Sequence, residues 1–233
     1  YAGGLFNCAA LAVDGALIGL VPKQNLASNG IHYENRWFKP WPSGVDDCVP
    51  IGDAECPIGD LVFDVGGIRI GFEICEDAWV GTRPGSSLAA RGTDVILNPS
   101  ASHFAFGKHT IRQRFVLEGS RAFHVSYVYA NLVGNESGRA IFEGDAMIAS
   151  GGKMLAVGAR LSYRLASITS AVVNVSSTRM VRASTGSFQP NVDGDETDVV
   201  DCSFRYPACD LVREVVQRDT WEQAKDLKSE EFE

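Results

Sequence analysis

Residues 68–79 read Ile-Arg-Ile-Gly-Phe-Glu-Ile-Cys-Glu-Asp-Ala-Trp, and this run leaves little choice about local structure. Ile68, Ile70, Phe72 and Ile74 recur at every second position, which predicts a strand with one face committed to a core. The strand ends at Cys75. Glu76 and Asp77 follow directly, as carboxylates do in the first turn of a helix, so Cys75 is expected at a strand-to-helix junction. There a thiol is held by rigid elements, and backbone N–H groups can lower its pKa and bind an oxyanion. The same residue also fits a small buried hydrophobe, the commoner fate of a cysteine behind a strand. Because neighbouring carboxylates raise a thiol pKa, a reactive Cys75 needs a lysine or an oriented base from elsewhere.

The chain has 233 residues, 45% of them hydrophobic, enough for one large core and a tail. A formal charge of −8 without any Lys/Arg-rich block argues against nucleic acid as a partner. No apolar run reaches membrane-spanning length and no signal peptide is visible, so no membrane partner is expected. Six cysteines, at 8, 48, 56, 75, 202 and 209, are scattered without zinc spacing. They read as reduced thiols of a cytoplasmic protein, and no metal site is expected.

Apolar runs at 5–11 and 16–21 flank Asp14-Gly15, a strong hairpin signal, and the second run delivers Lys23. Residues 24–42, which include Tyr33 and Glu34, read as a long loop, and 43–59 as a Pro/Gly/Asp-rich surface segment. A second hairpin, 61–65 and 68–74 around Gly66-Gly67, ends on Cys75. A short helix is expected at 85–91, a strand at 94–97, and a loop at 98–106 that carries Ser100, Ser102 and His103. Residues 108–123 read as a helix with Ile111, Phe115 and Ala122 on one side, and with Arg112, Arg114 and Arg121 on a solvated or subunit-facing side. Strands follow at 125–130, at 146–149 and 154–157 around Gly151-Gly152, and at 171–175, with a polar loop at 131–144. Hairpins mixed with strand-helix-strand units predict an α/β layered sandwich. Polar groups at neighbouring strand ends converge on one rim in such folds, which would bring Lys23, Cys75 and the 102–108 segment together.

Three ordered motifs carry a resemblance. They are Lys23-x-x-Leu26 with Tyr33-Glu34-x-Arg36-x-Phe38, then Gly71-x-x-Ile74-Cys75-Glu76-Asp77-x-Trp79, then Asn98-x-Ser100-x-Ser102 with Gly107-Lys108. Together they resemble the carbon-nitrogen hydrolase (nitrilase) superfamily and, within it, the glutaminase domains of glutamine-dependent NAD synthetases, over roughly residues 5–175. The resemblance implies a four-layer α-β-β-α sandwich and a Cys-Lys-Glu triad that hydrolyses the side-chain amide of glutamine through a thioester. It implies that ammonia is passed to a second active site, where ATP and Mg2+ serve the amidation of deamido-NAD; no cofactor is implied for the glutaminase domain itself. It also implies homo-oligomers.

Carried onto this chain, the resemblance makes Cys75 the nucleophile, Lys23 the cation that steadies thiolate and oxyanion, and Glu34 the supporting glutamate. The backbone N–H of Glu76 would complete the oxyanion hole, while Trp79, Ser102, Lys108 and Tyr33 would line or orient the glutamine pocket. The family's general base is a further glutamate after its first strand, upstream of anything matched here. The reading is therefore of an internal fragment without its first strand-helix units, a poor amidase by itself. Residues 1–184 would form the hydrolase domain, 185–220 a polar acidic linker, and 221–233 the start of an ATP-using synthetase domain. A stand-alone nitrilase-type amidase or carbamoylase, and a catalytically silent oligomerising module, stay open as alternatives.

Overall fold

A computed structural model describes residues 1–192 and 199–207. Two sheets pack face to face. The smaller holds β1 (Cys8–Val13), β2 (Ala16–Pro22), β3 (Asp46–Ile51) and β4 (Ala54–Gly59) in the order β1-β2-β4-β3. The larger is built from β5 (Val62–Val65), β6 (Ile68–Phe72), β7 (Val95–Ser100), β8 (Ser126–Asn131), β11 (Met147–Ser150), β12 (Lys153–Val157) and β13 (Val199–Cys202). Its order is β12-β11-β8-β7-β6-β5-β13, with β6, β7 and β8 parallel. A separate two-stranded hairpin joins β9 (Val133–Glu136) to β10 (Ala140–Glu143).

Alternation along the strands builds two cores. Val21, Leu61, Phe63, Phe72 and Ile74 fill the space between the sheets, joined by Leu11 and Val13 from β1. The other face of the large sheet gives Val62, Ile96, Tyr127, Tyr129 and Met147 to a second core. That core is closed by Leu88 of α1 (Pro84–Ala90) and Val116 of α2 (Lys108–Ala122). The described layers are thus β, β and α, in keeping with an α-β-β-α sandwich.

The parallel triplet β6-β7-β8 needs helical crossovers, and α1 and α2 supply them. Consequently the C-terminal ends of the three strands, with Cys75, Ser100 and Asn131 at or just beyond them, open on the same rim. At the opposite end, Asp94 receives Arg179 and Arg182 from α3 (Val175–Ser184), which clamps that helix to the sheet.

Four expectations are corrected. Residues 43–59 are not a bare surface segment: they form β3 and β4, and Cys56 and Ile58 are buried. The loop expected at 131–144 is the β9–β10 hairpin. Residues 171–174 are irregular, because the Asn174 side chain accepts from Ser177 N at 3.0 Å and starts α3 there instead. Within the segment read as a linker, β13 pairs in parallel with β5 at the sheet edge. The expectation of a new domain at 221–233 lies outside the described residues.

Candidate active site

The backbone turns sharply where β6 ends. Cys75 has φ of 50°, a left-handed conformation costly for a residue with a side chain, and opens a short 3-10 helix, Cys75–Ala78. The turn is held by Asp77, whose carboxylate accepts from Ile74 N at 2.9 Å, Asn25 N at 2.8 Å and Asn25 Nδ2 at 3.0 Å. Asn25 lies two residues beyond Lys23, so Asp77 ties the cysteine turn to the lysine loop. It is spent on that bridge, and is 2% exposed. Burial pushes its pKa from the ordinary 3.8 to about 6, against the pull of those donors and of Lys23.

Lys23 is 1% exposed and pairs with Glu34, from the short 3-10 helix Glu34–Arg36. Its main chain is fixed on both sides, N to Asn7 O at 2.8 Å and O to Trp41 N at 3.0 Å. Glu34 also accepts from Ala27 N at 2.7 Å and Asn7 Nδ2 at 3.2 Å, so three donors hold its carboxylate. Cys75, Lys23 and Glu34 line one cavity of about 770 Å3, with Ser100 on its wall and Tyr33 and Arg139 among the residues closing it. Arg139, on the β9–β10 hairpin, donates to the Tyr33 hydroxyl and stacks 4.7 Å from its ring centroid.

The remaining expected residues stand around that wall rather than on the cavity lining. Lys108 Nζ lies 5.4 Å from the Trp79 ring centroid and 3.3 Å from His103 Nδ1. Its pKa is lowered by burial and Arg112, while Cys75 and Glu76 oppose the shift. Burial raises Glu76, with Lys23 and Lys108 working in the other direction. Ser102 is buried, and its O and Oγ accept from Arg112 Nη2 at 3.2 and 3.3 Å, while its N donates to Asn131 Oδ1 at 2.8 Å. His103 Nδ1 also meets His32 Nε2 at 2.9 Å, and His32 lines the cavity. Both histidine pKa values are lowered, by burial first and the Lys108 charge second.

Arg112 is the main correction here. Far from facing solvent, it is 0% exposed and sits between Glu143, Asp145 and the carbonyls of Ser102 and His103. Arg114 and Arg121 are exposed, as expected. The sequence reading also missed Asp77 as a bridge and Ser100 as wall. The Asp77 turn had a signal, a carboxylate three residues after the last apolar strand residue, the spacing of a capping side chain. Among the described residues, no group of three or more His, Cys, Asp or Glu is placed to hold a metal ion.

A buried cation and a thiol at a strained junction, sharing one cavity, suit nucleophilic attack on a carbonyl with a developing oxyanion. Residues 6–179 match the family model described as Carbon-nitrogen hydrolase. The chain is 31% identical to a putative glutamine-dependent NAD(+) synthetase of Schizosaccharomyces pombe, over 79% of this chain and 27% of that protein. It is 32% identical to the glutamine-dependent NAD(+) synthetase of Thermotoga maritima, over 61% of this chain and 22% of the relative. The chain therefore spans about a quarter of the length of these curated relatives. Among solved structures, a glutamine-dependent NAD(+) synthetase from Cytophaga hutchinsonii superposes with a TM-score of 0.64 at 44% identity, covering 70% of this chain and 27% of that one. A carbon-nitrogen hydrolase from Helicobacter pylori gives 0.63 at 20% identity, over 78% of this chain and 61% of that one, a likeness of fold.

Proposed function

The chain belongs to the carbon-nitrogen hydrolase family, and from that premise we propose that it is the glutamine-hydrolysing part of a glutamine-dependent NAD synthetase. The observation that supports this most directly is the meeting of Cys75, Lys23 and Glu34 in one cavity, from three separate elements. The Cys75 thiolate attacks the carboxamide carbon, and the carbonyl electrons move to oxygen beside the Lys23 ammonium and the Glu76 N–H. Collapse breaks the C–N bond, releases ammonia once the nitrogen is protonated, and leaves a γ-glutamyl thioester. Water then adds to the thioester carbon, and glutamate departs as the thiol is restored. Glu34, engaged by three donors, positions Lys23 and does not carry the proton between thiol and nitrogen. That shuttle belongs to a further glutamate.

In this reading the ammonia serves an ATP- and Mg2+-dependent amidation of deamido-NAD in a synthetase domain. The protein works in the cytoplasm as a homo-oligomer. No helix among the described residues is long and apolar enough to cross a membrane.

Glutamine seated in the cavity must shield the thiol, whatever the turnover rate. We expect glutamine to slow iodoacetamide alkylation of Cys75, read by peptide mass spectrometry, while asparagine and glutamate leave it unchanged. Equal protection by a simple aliphatic amide would shift the reading to a general amidase. Absence of protection by any amide would overturn it.

A further inference from the structure

Ser100 lines the cavity, and the steps above leave its hydroxyl idle. Behind it runs a buried row of polar groups whose donors and acceptors admit one arrangement. Glu73, 0% exposed, receives Arg83 Nη2 at 2.6 Å, Arg83 Nε at 3.2 Å and Gly85 N at 2.7 Å, all pure donors. Tyr127, equally buried, donates its hydroxyl to Glu73 Oε2 at 2.6 Å. The Tyr127 hydroxyl oxygen in turn accepts from Arg83 Nη2 at 3.1 Å and from Asn98 Nδ2 at 2.8 Å. One proton and two lone pairs are all that a phenol has, and all are used.

Asn98 therefore cannot turn its amide over, because its Oδ1 would meet an oxygen with no proton left to give. With Nδ2 fixed on Tyr127, Oδ1 faces Ser100 Oγ at 2.7 Å, and Ser100 must donate to it. The serine proton is committed inward. The buried Tyr129 hydroxyl, which has no other partner among the described residues, lies beside Ser100 and can take one of its two lone pairs, so one lone pair remains for the cavity.

Building on the amide-hydrolysing reading of this site, we propose that Ser100 accepts an N–H of the substrate's carboxamide, and that Asn98, Tyr127 and Glu73 are positioning residues that fix its polarity. A carboxamide supplies such a proton; an ester and the carboxylate product do not. The row thus favours an amide over its nearest isosteres, and disfavours the product acid at the same place.

The test is ligand-detected NMR titration in a Cys75→Ala background, so that nothing turns over. Ser100→Ala is expected to weaken glutamine binding by roughly 5- to 10-fold, the loss of one hydrogen bond. It is expected to leave glutamate γ-methyl ester within about twofold, since the ester has no N–H to lose. Ser100→Thr, which keeps the hydroxyl, should restore glutamine. An equal loss for amide and ester, or no loss for either, overturns the assignment. Butyramide and methyl butyrate, run in parallel, separate the two layers of argument. Selective weakening of butyramide with no glutamine binding in the background protein would sink the glutamine reading and keep the role of Ser100; if neither amide binds, both fall.

Discussion

Asp77 works as a tether at an electrostatic cost. Its carboxyl, held near 6 when folded against an ordinary 3.8, binds more protons in the folded state across that interval. Folding is therefore favoured most by this group below about pH 4, loses stability as pH rises through 6, and is flat above. The loss is at most on the order of 2–3 kcal/mol. Urea unfolding at pH 4 and pH 7 should show the decline in the wild type, and Asp77→Asn should flatten it. An identical pH dependence in the two proteins would contradict the assignment. The variant also places an amide N–H against one of three donors, so its stability at pH 4 should fall below that of the wild type.

Between elements, the decisive joint is α2 against the strand that precedes the Gly144 turn. Arg112 of α2 pairs with Glu143 and Asp145, and its other contacts hold the chain at Ser102 and His103. Arg112→Met should lower unfolding free energy by about 3 kcal/mol, because two buried carboxylates then rely on Arg160 and His109 alone. Urea titration checks it; a change under 1 kcal/mol would argue against the joint. No window of sequence around residue 112 could reveal this, since its partners lie 31 and 33 residues away. Local periodicity placed Ile111 inside, whereas the structure buries Arg112, Val116, Gly119 and Ser120. The tight hairpins were legible for the opposite reason. Asp14-Gly15, Gly66-Gly67 and Gly151-Gly152 all take positive φ, and the residues that tolerate it announce themselves. Pro50 and Pro57 hid β3 and β4, because proline in a run reads as loop. The site was half legible on the same terms: Cys75, Lys23 and Glu34 stand in motifs, while the row behind Ser100 exists only after β6, β7 and β8 are side by side.

On the scale of the whole molecule, the stretch after β12 leaves large apolar side chains bare. Tyr163 and Leu165 are fully exposed and Ile168 is 95% exposed, a surface that a second copy would cover in the proposed homo-oligomer. Light scattering after gel filtration should give a mass above the 25.1 kDa of one chain, and Leu165→Asp with Ile168→Asp should return it to that value. A wild type that stays at one chain's mass down the concentration series would remove self-assembly from the proposal. The left-handed backbone at Cys75 has a longer reach. The address of the Cys75 sulfur is written into a main-chain turn and the Asp77 tether that holds it, not into the side chains lining the cavity. On the proposed function, substitutions at walls such as Tyr33, His32 and Arg139 would alter which amide is admitted and leave the position of the nucleophile unchanged.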